Sequence, residues 1–198
     1  MARAKWAVYA GFAMLLLLFN GLIFYTAYLE SQLDPTGELL HAAFAPTCHQ
    51  LASRSQCVFV SKEDGSYSFG DFMPQGELSY SRETKFDYPG KVGYKLPVCS
   101  RDVAIYLGML LGLLALPLLQ KPDSEEMPSI WILAAACAPI ALDGITQLLG
   151  IRESTNALRV MTGFIVGVVL PFYILPILNA LFSAALSTLF PKGKKGKK

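Results

Sequence analysis

Charged side chains are scarce in this sequence: Asp, Glu, Lys and Arg make up 16% of its 198 residues, whereas apolar residues make up 53%. The sequence also contains no Cys-x-x-Cys pair and no internal repeat. The low charge argues against an ordinary soluble domain and favours the membrane class. The missing Cys-x-x-Cys pair argues against a thiol oxidoreductase, which would use such a pair for exchange chemistry.

Four apolar stretches predict membrane-spanning helices, because about 20 apolar residues are enough to cross a bilayer. They are residues 6–29, 103–119, 130–149 and 158–190. The first stretch is longer than the apolar core of a cleaved signal peptide, about 7–15 residues, so residues 1–29 are expected to form an uncleaved signal-anchor helix. The last stretch exceeds a straight span, and Pro171 and Pro176 supply a place for it to bend.

Basic residues near the ends of the chain predict the orientation of these helices. Arg3 and Lys5 precede the first span. Five lysines follow the last one: Lys192, Lys194, Lys195, Lys197 and Lys198. An even number of spans places both basic ends in the cytoplasm. We therefore expect a multi-pass protein of the plasma membrane, with residues 191–198 as a basic cytoplasmic tail and residues 30–102 as an extracytoplasmic insertion.

The insertion is expected to contain some structure of its own. A short helix is predicted within residues 34–50. Residues 57–62 and 66–70 read as two strands around Asp64-Gly65, a pair that favours tight hairpin turns. Four aromatic residues nearby suggest irregular or ribbon structure on the membrane surface: Tyr80, Phe86, Tyr88 and Tyr94. The predicted fold class is an all-α integral membrane protein of about four transmembrane helices, with a small β-hairpin in a long extracytoplasmic insertion.

A polar face in the third apolar stretch marks a candidate site within the three-helix membrane region, residues 103–190. Asp143, Thr146 and Gln147 share one side of that helix, and a carboxylate at membrane depth is costly unless it meets a partner or a polar cavity. Ser154 or Thr155 is a natural N-cap for the fourth helix. The candidate catalytic residues are Asp143, Gln147, Arg152, Asn156 and Arg159.

Two interpretations of this face remain open. Arginine binds phosphate or carboxylate through two parallel hydrogen bonds, so Arg101, Arg152 and Arg159, with Arg54 above them, could form an anion site beside Asp143. Alternatively, an ion pair between Asp143 and Arg159 only staples two helices together. The glycine pairs of the second and fourth spans, which are Gly108/Gly112 and Gly163/Gly167, predict close helix packing.

A second candidate site lies in the insertion, where Cys48 precedes His49 and Cys99 lies three residues before Asp102. Thiolate, imidazole and carboxylate groups all bind zinc, so these four residues are candidate metal ligands. The competing interpretation is a disulfide, because cysteines outside the cytoplasm meet an oxidising environment. Each pair is an incomplete ligand set, so Cys48 or His49 is expected to lie near Cys99 and Asp102.

These motifs together resemble a known family. They are Cys48, His49, Gln50, Arg54 and Ser55; Pro97, Cys99, Arg101, Tyr106 and Gly108; and Asp143, Gln147, Gly150, Arg152, Ser154, Asn156, Arg159, Thr162 and Gly163. The pattern is similar to the predicted membrane proteins catalogued as Domain of Unknown Function 2085, over most of the chain after about residue 45. That family usually has a second cysteine at the position of Asp102, and residues 58–95 look like an expansion of a shorter family loop. The resemblance implies a shared polar site and no established activity.

The functional expectation is a membrane enzyme, assisted by zinc, that acts on an anionic headgroup or a lipid-linked phosphate. Cys48, His49, Cys99 and Asp102 would hold the metal, Arg152 and Arg159 would orient the anion, and Asp143 would act as base or ligand. The alternative is a non-catalytic binding or transport-associated membrane protein with a structural ion pair and a disulfide or metal staple. The lipid bilayer is the expected partner, and no nucleic-acid partner is expected.

Overall fold

The computed structural model describes residues 2–74 and 76–189, with the side chains of residues 2–4 and 79 left out. The lysines of the predicted tail lie outside the described residues. Within the described part, four helical segments are long and apolar enough to cross a membrane: Lys5–Ser31, Ser100–Leu119, Ile130–Leu148 and Asn156–Leu189. The sequence-based prediction of four such segments is confirmed.

The helices are numbered in chain order. They are α1 (Ala2–Ser31), α2 (Pro35–Ala43), α3 (Ser100–Leu119), α4 (Ile130–Leu148), α5 (Asn156–Val169) and α6 (Pro171–Leu189). The fourth apolar segment is therefore two helices that meet at Leu170 and Pro171. Proline has no backbone N–H to continue the helical bonding, which explains the boundary. The interruption thus falls at Pro171, one of the two positions expected for it, whereas Pro176 continues inside α6.

The short helix expected within residues 34–50 is α2. Its first turn follows the rules for helix starts: Asp34 is the N-cap, its Oδ1 accepts from the backbone N–H of Thr36 at 2.8 Å, and Pro35 occupies the first helical position. This bond lowers the pKa of the Asp34 carboxyl. The helix therefore folds directly back from the end of α1.

Helices α3 and α5 pack closely because four glycines face the contact. A side chain at Gly108 or Gly112 would meet backbone atoms of Phe164, Gly167 or Val168. A side chain at Gly163 or Gly167 would meet the backbone of Arg101 or Ile105. The predicted role of both glycine pairs in helix packing is confirmed. The contact fixes the start of α3 against the start of α5, where the candidate site lies.

A four-stranded antiparallel sheet forms between α2 and α3. Its strands are β1 (Gln56–Ser61), β2 (Tyr67–Asp71), β3 (Lys85–Tyr88) and β4 (Lys91–Lys95), in the order β2-β1-β4-β3. The predicted hairpin is β1 and β2, joined by a turn in which Gly65 has a φ of 69°. The second hairpin, β3 and β4, turns at Gly90 with a φ of 75°. The sheet is thus larger than the single hairpin expected.

Three of the four aromatic residues expected in irregular or ribbon structure are buried. Phe86, Tyr88 and Tyr94 are buried, and only Tyr80 of the four is exposed. Phe86 and Tyr88 pack with Phe59 and Phe72 in the core of the sheet. These residues lie in the β3–β4 hairpin, which is ribbon structure, and alternation along β3 turns its apolar side chains to one face, where the sheet buries them.

The sheet and α2 are joined to the helices by a small apolar core. It consists of Ile23, Ala27, Phe44, Leu96, Val98 and Val103. Its members come from α1, from the end of α2, from the segment after β4 and from α3. The segments that carry Cys48 and Cys99 are therefore both anchored to the same end of the helical bundle.

Candidate functional site

Asp143 lies near the end of α4 and is almost completely buried, with 2% of its side chain exposed. Its Oδ2 accepts from Arg101 Nη2 at 2.5 Å and from Ser154 Oγ at 2.7 Å, and its Oδ1 accepts from Arg152 Nη2 at 3.0 Å. Of the two arginines expected as partners, Arg152 bonds to Asp143 and Arg159 does not. Arg101, at the start of α3, takes the place of Arg159, which corrects the sequence-based pairing of Asp143 with Arg159.

Arg159 forms a separate group with Gln147 and Asn156. Its Nη1 donates to Asn156 Oδ1 at 2.9 Å. With its amide oxygen facing the guanidinium groups, Gln147 accepts from Arg54 Nη2 at 2.9 Å and from Arg159 Nη2 at 3.3 Å. All five candidate residues from the sequence thus lie in two adjoining groups, one around Asp143 and one around Gln147.

The loop from α4 to α5 holds these groups in place. Thr155 is the N-cap of α5, and its side chain accepts from the backbone N–H of Leu158 at 3.3 Å, which confirms one of the two predicted caps. Ser154 turns instead towards Asp143. Arg152 also donates from Nε to Thr146 Oγ1 at 3.3 Å, so the third residue of the predicted polar face takes part.

The described structure brings together Cys48, Cys99 and Asp102, although Cys48 and Cys99 are 51 residues apart in the chain. Their ligand atoms all lie within 4.8 Å of one another. The backbone N–H of Cys99 donates to Cys48 Sγ at 3.3 Å, and Cys99 Sγ donates to Asp102 Oδ2 at 3.1 Å. The predicted proximity is confirmed. Cys48 and Cys99 are both free thiols in this structure, not a disulfide.

His49 does not join this group. His49 is exposed and borders a cavity next to the cluster, which is described below. It does not come within 4.8 Å of all three ligand atoms. The sequence predicted a set of four ligands that included His49, but the structure brings together only Cys48, Cys99 and Asp102. The physical reason is that Cys48 and His49 are neighbours in a segment outside any helix or strand, and adjacent side chains of such extended chain point to different sides.

The two thiols have opposite pKa shifts because one hydrogen bond links them. Interaction with the Cys99 side chain lowers the pKa of Cys48, and burial offsets part of this effect. The same interaction, followed by burial and the nearby Asp102 charge, raises the pKa of Cys99. Of the two, Cys48 is therefore the thiol that gives up its proton more readily.

The loop that carries Cys48 is held by residues that the sequence analysis missed. Gln50 donates from Nε2 to the carbonyls of His41 and Pro97, at 3.0 and 2.8 Å. Lys95 is fully buried, and its Nζ donates to the carbonyls of Gln50 at 2.6 Å and Arg82 at 3.1 Å. Burial lowers the pKa of Lys95 to about 8. Nothing in the alternation of β4 indicates that this lysine points inwards.

A buried pair of ionisable residues supports the same region. Glu30 ends α1 and His41 lies in α2; Glu30 Oε1 is 2.9 Å from His41 Nδ1, and each side chain is 4% exposed. The backbone carbonyl of His41 is one of the two that hold Gln50. The sequence signal for this pair, two polar residues beside apolar helices, is too common to single it out.

A cavity of about 220 Å³ connects the cysteine cluster to the arginines. It is lined by Thr47, Cys48, His49, Gln50, Leu51, Arg54, Cys99, Arg101 and Asp102. The buried Nε of Arg101 has no hydrogen-bond partner among the described residues. Two of the four guanidinium groups of the site therefore border a space that also touches the potential metal ligands. Such a space could hold a small anion, a water molecule or a coordinated ion.

Fold and site together define a predominantly helical protein whose four long apolar segments meet a polar, arginine-rich cluster at one end. Residues 91–173 match the family described as predicted membrane protein (DUF2085). The matched range covers Cys99, Arg101, Asp143 and Arg159 but begins after Cys48.

Two relatives extend this comparison. An uncharacterized protein of Methanocaldococcus jannaschii is 36% identical over 138 residues, which is 70% of this chain and 67% of the relative. An uncharacterized protein of Methanothermobacter thermautotrophicus is 38% identical over 76 residues, which is 38% of this chain and 67% of the relative. No solved structure matches the chain significantly. The chain belongs to the DUF2085 family of predicted membrane proteins, as the sequence resemblance predicted.

Proposed function

We propose that this protein is a multi-pass protein of the plasma membrane that binds the phosphate of an anionic headgroup or a lipid-linked phosphate at the outer face. The observation that carries the proposal is a cluster of four arginines: Arg101 and Arg152 bond to Asp143, whereas Arg54 and Arg159 bond to the neutral amide of Gln147. Even with Asp102, which borders the same cavity, two carboxylates cannot neutralise four guanidinium groups. The remaining positive charge favours an anion, and arginine matches phosphate oxygens in geometry.

The orientation within the membrane is supported at both ends of the bundle. Lys5 pairs with Glu125 at 2.7 Å, so the α3–α4 loop lies at the same end as the start of α1. The polar site is built from the start of α3, the end of α4 and the start of α5, at the opposite end. With the basic termini in the cytoplasm, the site and the sheet face outwards.

Reporter tags give the first test of this orientation. A tag inserted at Gly65, in the exposed turn between β1 and β2, is expected to react with a membrane-impermeant reagent in intact cells. A tag after Lys198 is expected to react only after the membrane is opened. Protection of the Gly65 tag in intact cells would contradict an outward-facing site.

We assign different tasks to the site residues. Arg54 and Arg101 border the cavity and would contact the phosphate there. Asp143 already accepts three hydrogen bonds, so we assign it to holding Arg101 and Arg152 in position rather than to acting as a base. Gln147 and Asn156 hold Arg159 and Arg54 in the same way. In the enzymatic form of the proposal, Cys48, Cys99 and Asp102 would hold a metal whose Lewis acidity would serve to polarise a phosphate.

A non-catalytic function is favoured by one specific observation. Both oxygens of Asp143 accept hydrogen bonds from groups of two other segments, Arg101 at the start of α3 and Arg152 and Ser154 in the α4–α5 loop, which is what a structural staple requires. In that case the protein is a binding or transport-associated membrane protein, and the arginines serve stability. The two functions differ in whether the site takes up an anion.

Ligand-induced stabilisation of the full-length protein in neutral detergent distinguishes the anion-binding function from the purely structural role of the arginines. We expect phosphatidate to raise the unfolding midpoint more than a zwitterionic phosphocholine lipid does, because a ligand of the folded state stabilises it. Stabilisation by inorganic phosphate as well would indicate that the phosphate group alone is recognised; stabilisation by phosphatidate alone would indicate a lipid. Sodium chloride at matched ionic strength controls for screening.

Variants connect this effect to the site. Arg54→Gln should weaken phosphatidate binding about tenfold, since a hydrogen bond to a charged group contributes about 1.5–3 kcal/mol and 1.4 kcal/mol corresponds to tenfold. Lys121→Gln removes one positive charge from the exposed loop at the opposite end and should change nothing. Equal stabilisation of both variants and of the unmodified protein would contradict an anion site at Arg54.

A further inference from the structure

The cysteine cluster, Cys48, Cys99 and Asp102, offers three of the four ligand atoms that a tetrahedral zinc site requires. Two thiol sulfurs and one carboxylate oxygen lie within 4.8 Å of one another. Zinc binds sulfur at about 2.3 Å and oxygen at about 2.0–2.2 Å, which sets ligand-to-ligand separations of about 3.5 Å in a tetrahedral site. Side-chain movements of about 1 Å would therefore bring the two sulfur atoms and the carboxylate oxygen to bonding distance from one central metal ion.

The backbone around the cluster is already fixed, so binding would need little reorganisation. Cys99 is the N-cap of α3, and Asp102 is in its first turn. The Cys48 loop is attached to the segment before Cys99 by the Gln50 side chain, and Lys95 holds the Gln50 carbonyl. The positive φ of Gln50 is a strained conformation for a residue with a side chain, and such strain persists where the surrounding structure enforces it.

The number of protein ligands distinguishes a structural metal site from a catalytic one. Structural zinc sites have four protein ligands, whereas catalytic zinc sites have three and keep one position for water or substrate. Among the described His, Cys, Asp and Glu residues, the group consists of Cys48, Cys99 and Asp102, and it borders the 220 Å³ cavity together with Arg54 and Arg101. A fourth ligand would therefore come from the cavity.

We infer that Cys48, Cys99 and Asp102 bind one divalent cation of the zinc type, and that its fourth coordination position faces the arginine-lined cavity. A water molecule fills that position until a phosphate oxygen displaces it. The identity of this exchangeable ligand rests on the proposed function. The metal and the arginines then hold the same phosphate from two sides, so each should strengthen binding of the other.

Cobalt substitution of the full-length protein in detergent tests the ligand set. We expect one Co²⁺ per chain, with the sulfur-to-metal charge-transfer absorption and intense visible bands of a four-coordinate thiolate site. Cys48→Ser, Cys99→Ser and Asp102→Asn should each weaken metal binding by more than about 100-fold, since even the loss of an outer-shell partner costs 10–100-fold. Cys137→Ser, in α4, is the matched control and should retain the spectrum. His49→Ala tests whether the imidazole that borders the cavity is a ligand, and it should also leave the thiolate bands in place.

A second readout keeps the test decisive where a variant does not fold. In the unmodified protein, bound Zn²⁺ should slow alkylation of Cys48 and Cys99 and leave that of Cys137 unchanged. Absence of thiolate absorption, equal alkylation with and without metal, or loss of the metal in His49→Ala to the same degree as in Cys99→Ser would overturn the inferred ligand set.

The open position has its own test. Adding inorganic phosphate to the cobalt-loaded protein should shift the visible bands, and phosphate should bind more tightly with metal present than without it. A cobalt spectrum that phosphate leaves unchanged would overturn the exchangeable fourth ligand. Phosphatidate stabilisation of the metal-free protein is measured separately, so failure of the metal site and failure of the anion site give different results.

Discussion

Asp143→Asn is expected to lower the free energy of unfolding by about 3 kcal/mol. The change removes the negative charge that compensates Arg101 and Arg152, and breaking a buried ion pair from one side typically costs about 3–5 kcal/mol. The lower end of that range applies because the two arginine side chains are 23% and 47% exposed and water screens them in part. Denaturant or thermal unfolding in a fixed detergent measures the loss.

Double variants identify the partner and the role of Asp143. Asp143→Asn with Arg101→Gln should recover much of the lost stability, whereas Asp143→Asn with Arg159→Gln should recover little, because Arg159 bonds to Asn156 and Gln147 instead. Recovery with Arg159 and not with Arg101 would contradict the observed pairing. If the stabilised double variant also binds phosphatidate normally, Asp143 and Arg101 are a staple and the proposed anion site fails.

Gly167→Leu is expected to have the second large effect, at least about 3 kcal/mol and in practice loss of the folded protein. A Cβ at this position would overlap the backbone oxygen of Ile105, and backbone atoms cannot move aside unless α3 and α5 separate. Overpacking typically costs about 1–3 kcal/mol even where neighbouring side chains can adjust. Size-exclusion chromatography and unfolding in detergent would measure the loss.

The matched control for this variant is Gly144→Leu in α4. Apart from the neighbouring backbone of α4 itself, a Cβ built at Gly144 meets nothing within 4 Å, so the position is open where that of Gly167 is closed. Its stability should be unchanged or rise by about 0.5–1 kcal/mol, since glycine is a poor helix former. Equal tolerance of leucine at both positions would contradict the close packing of α3 and α5, and with it the position of Arg101 against α5.

The helical segments could be predicted because length and hydropathy alone define them, and Pro171 marks the break between α5 and α6. The β1–β2 hairpin was equally predictable from Asp64 and Gly65. The β3–β4 hairpin was missed because Lys91 to Lys95 alternates charged, apolar and glycine residues without a recognisable strand pattern. Pairing with β1 in the centre of the sheet is what makes this segment a strand.

The polar site was predictable in its members but not in its pairings. Helical spacing places Asp143 and Gln147 on one face of α4, yet it says nothing about how α3 and α5 are rotated towards that face. The glycine contacts set that rotation, and they bring Arg101 to Asp143 while Arg159 reaches Gln147. Likewise, adjacency of Cys48 and His49 in the chain did not place both side chains in the cluster.

The most direct test of the central claim is a crystal structure of the full-length protein grown in a lipid phase with tungstate, a tetrahedral oxyanion located by its anomalous scattering. The account predicts a tungsten peak in the cavity bordered by Arg54 and Arg101, with oxygens at hydrogen-bond distance, about 2.7–3.2 Å, from both guanidinium groups. A well-ordered structure with Arg54 and Arg101 placed as described and no anion between them would contradict it.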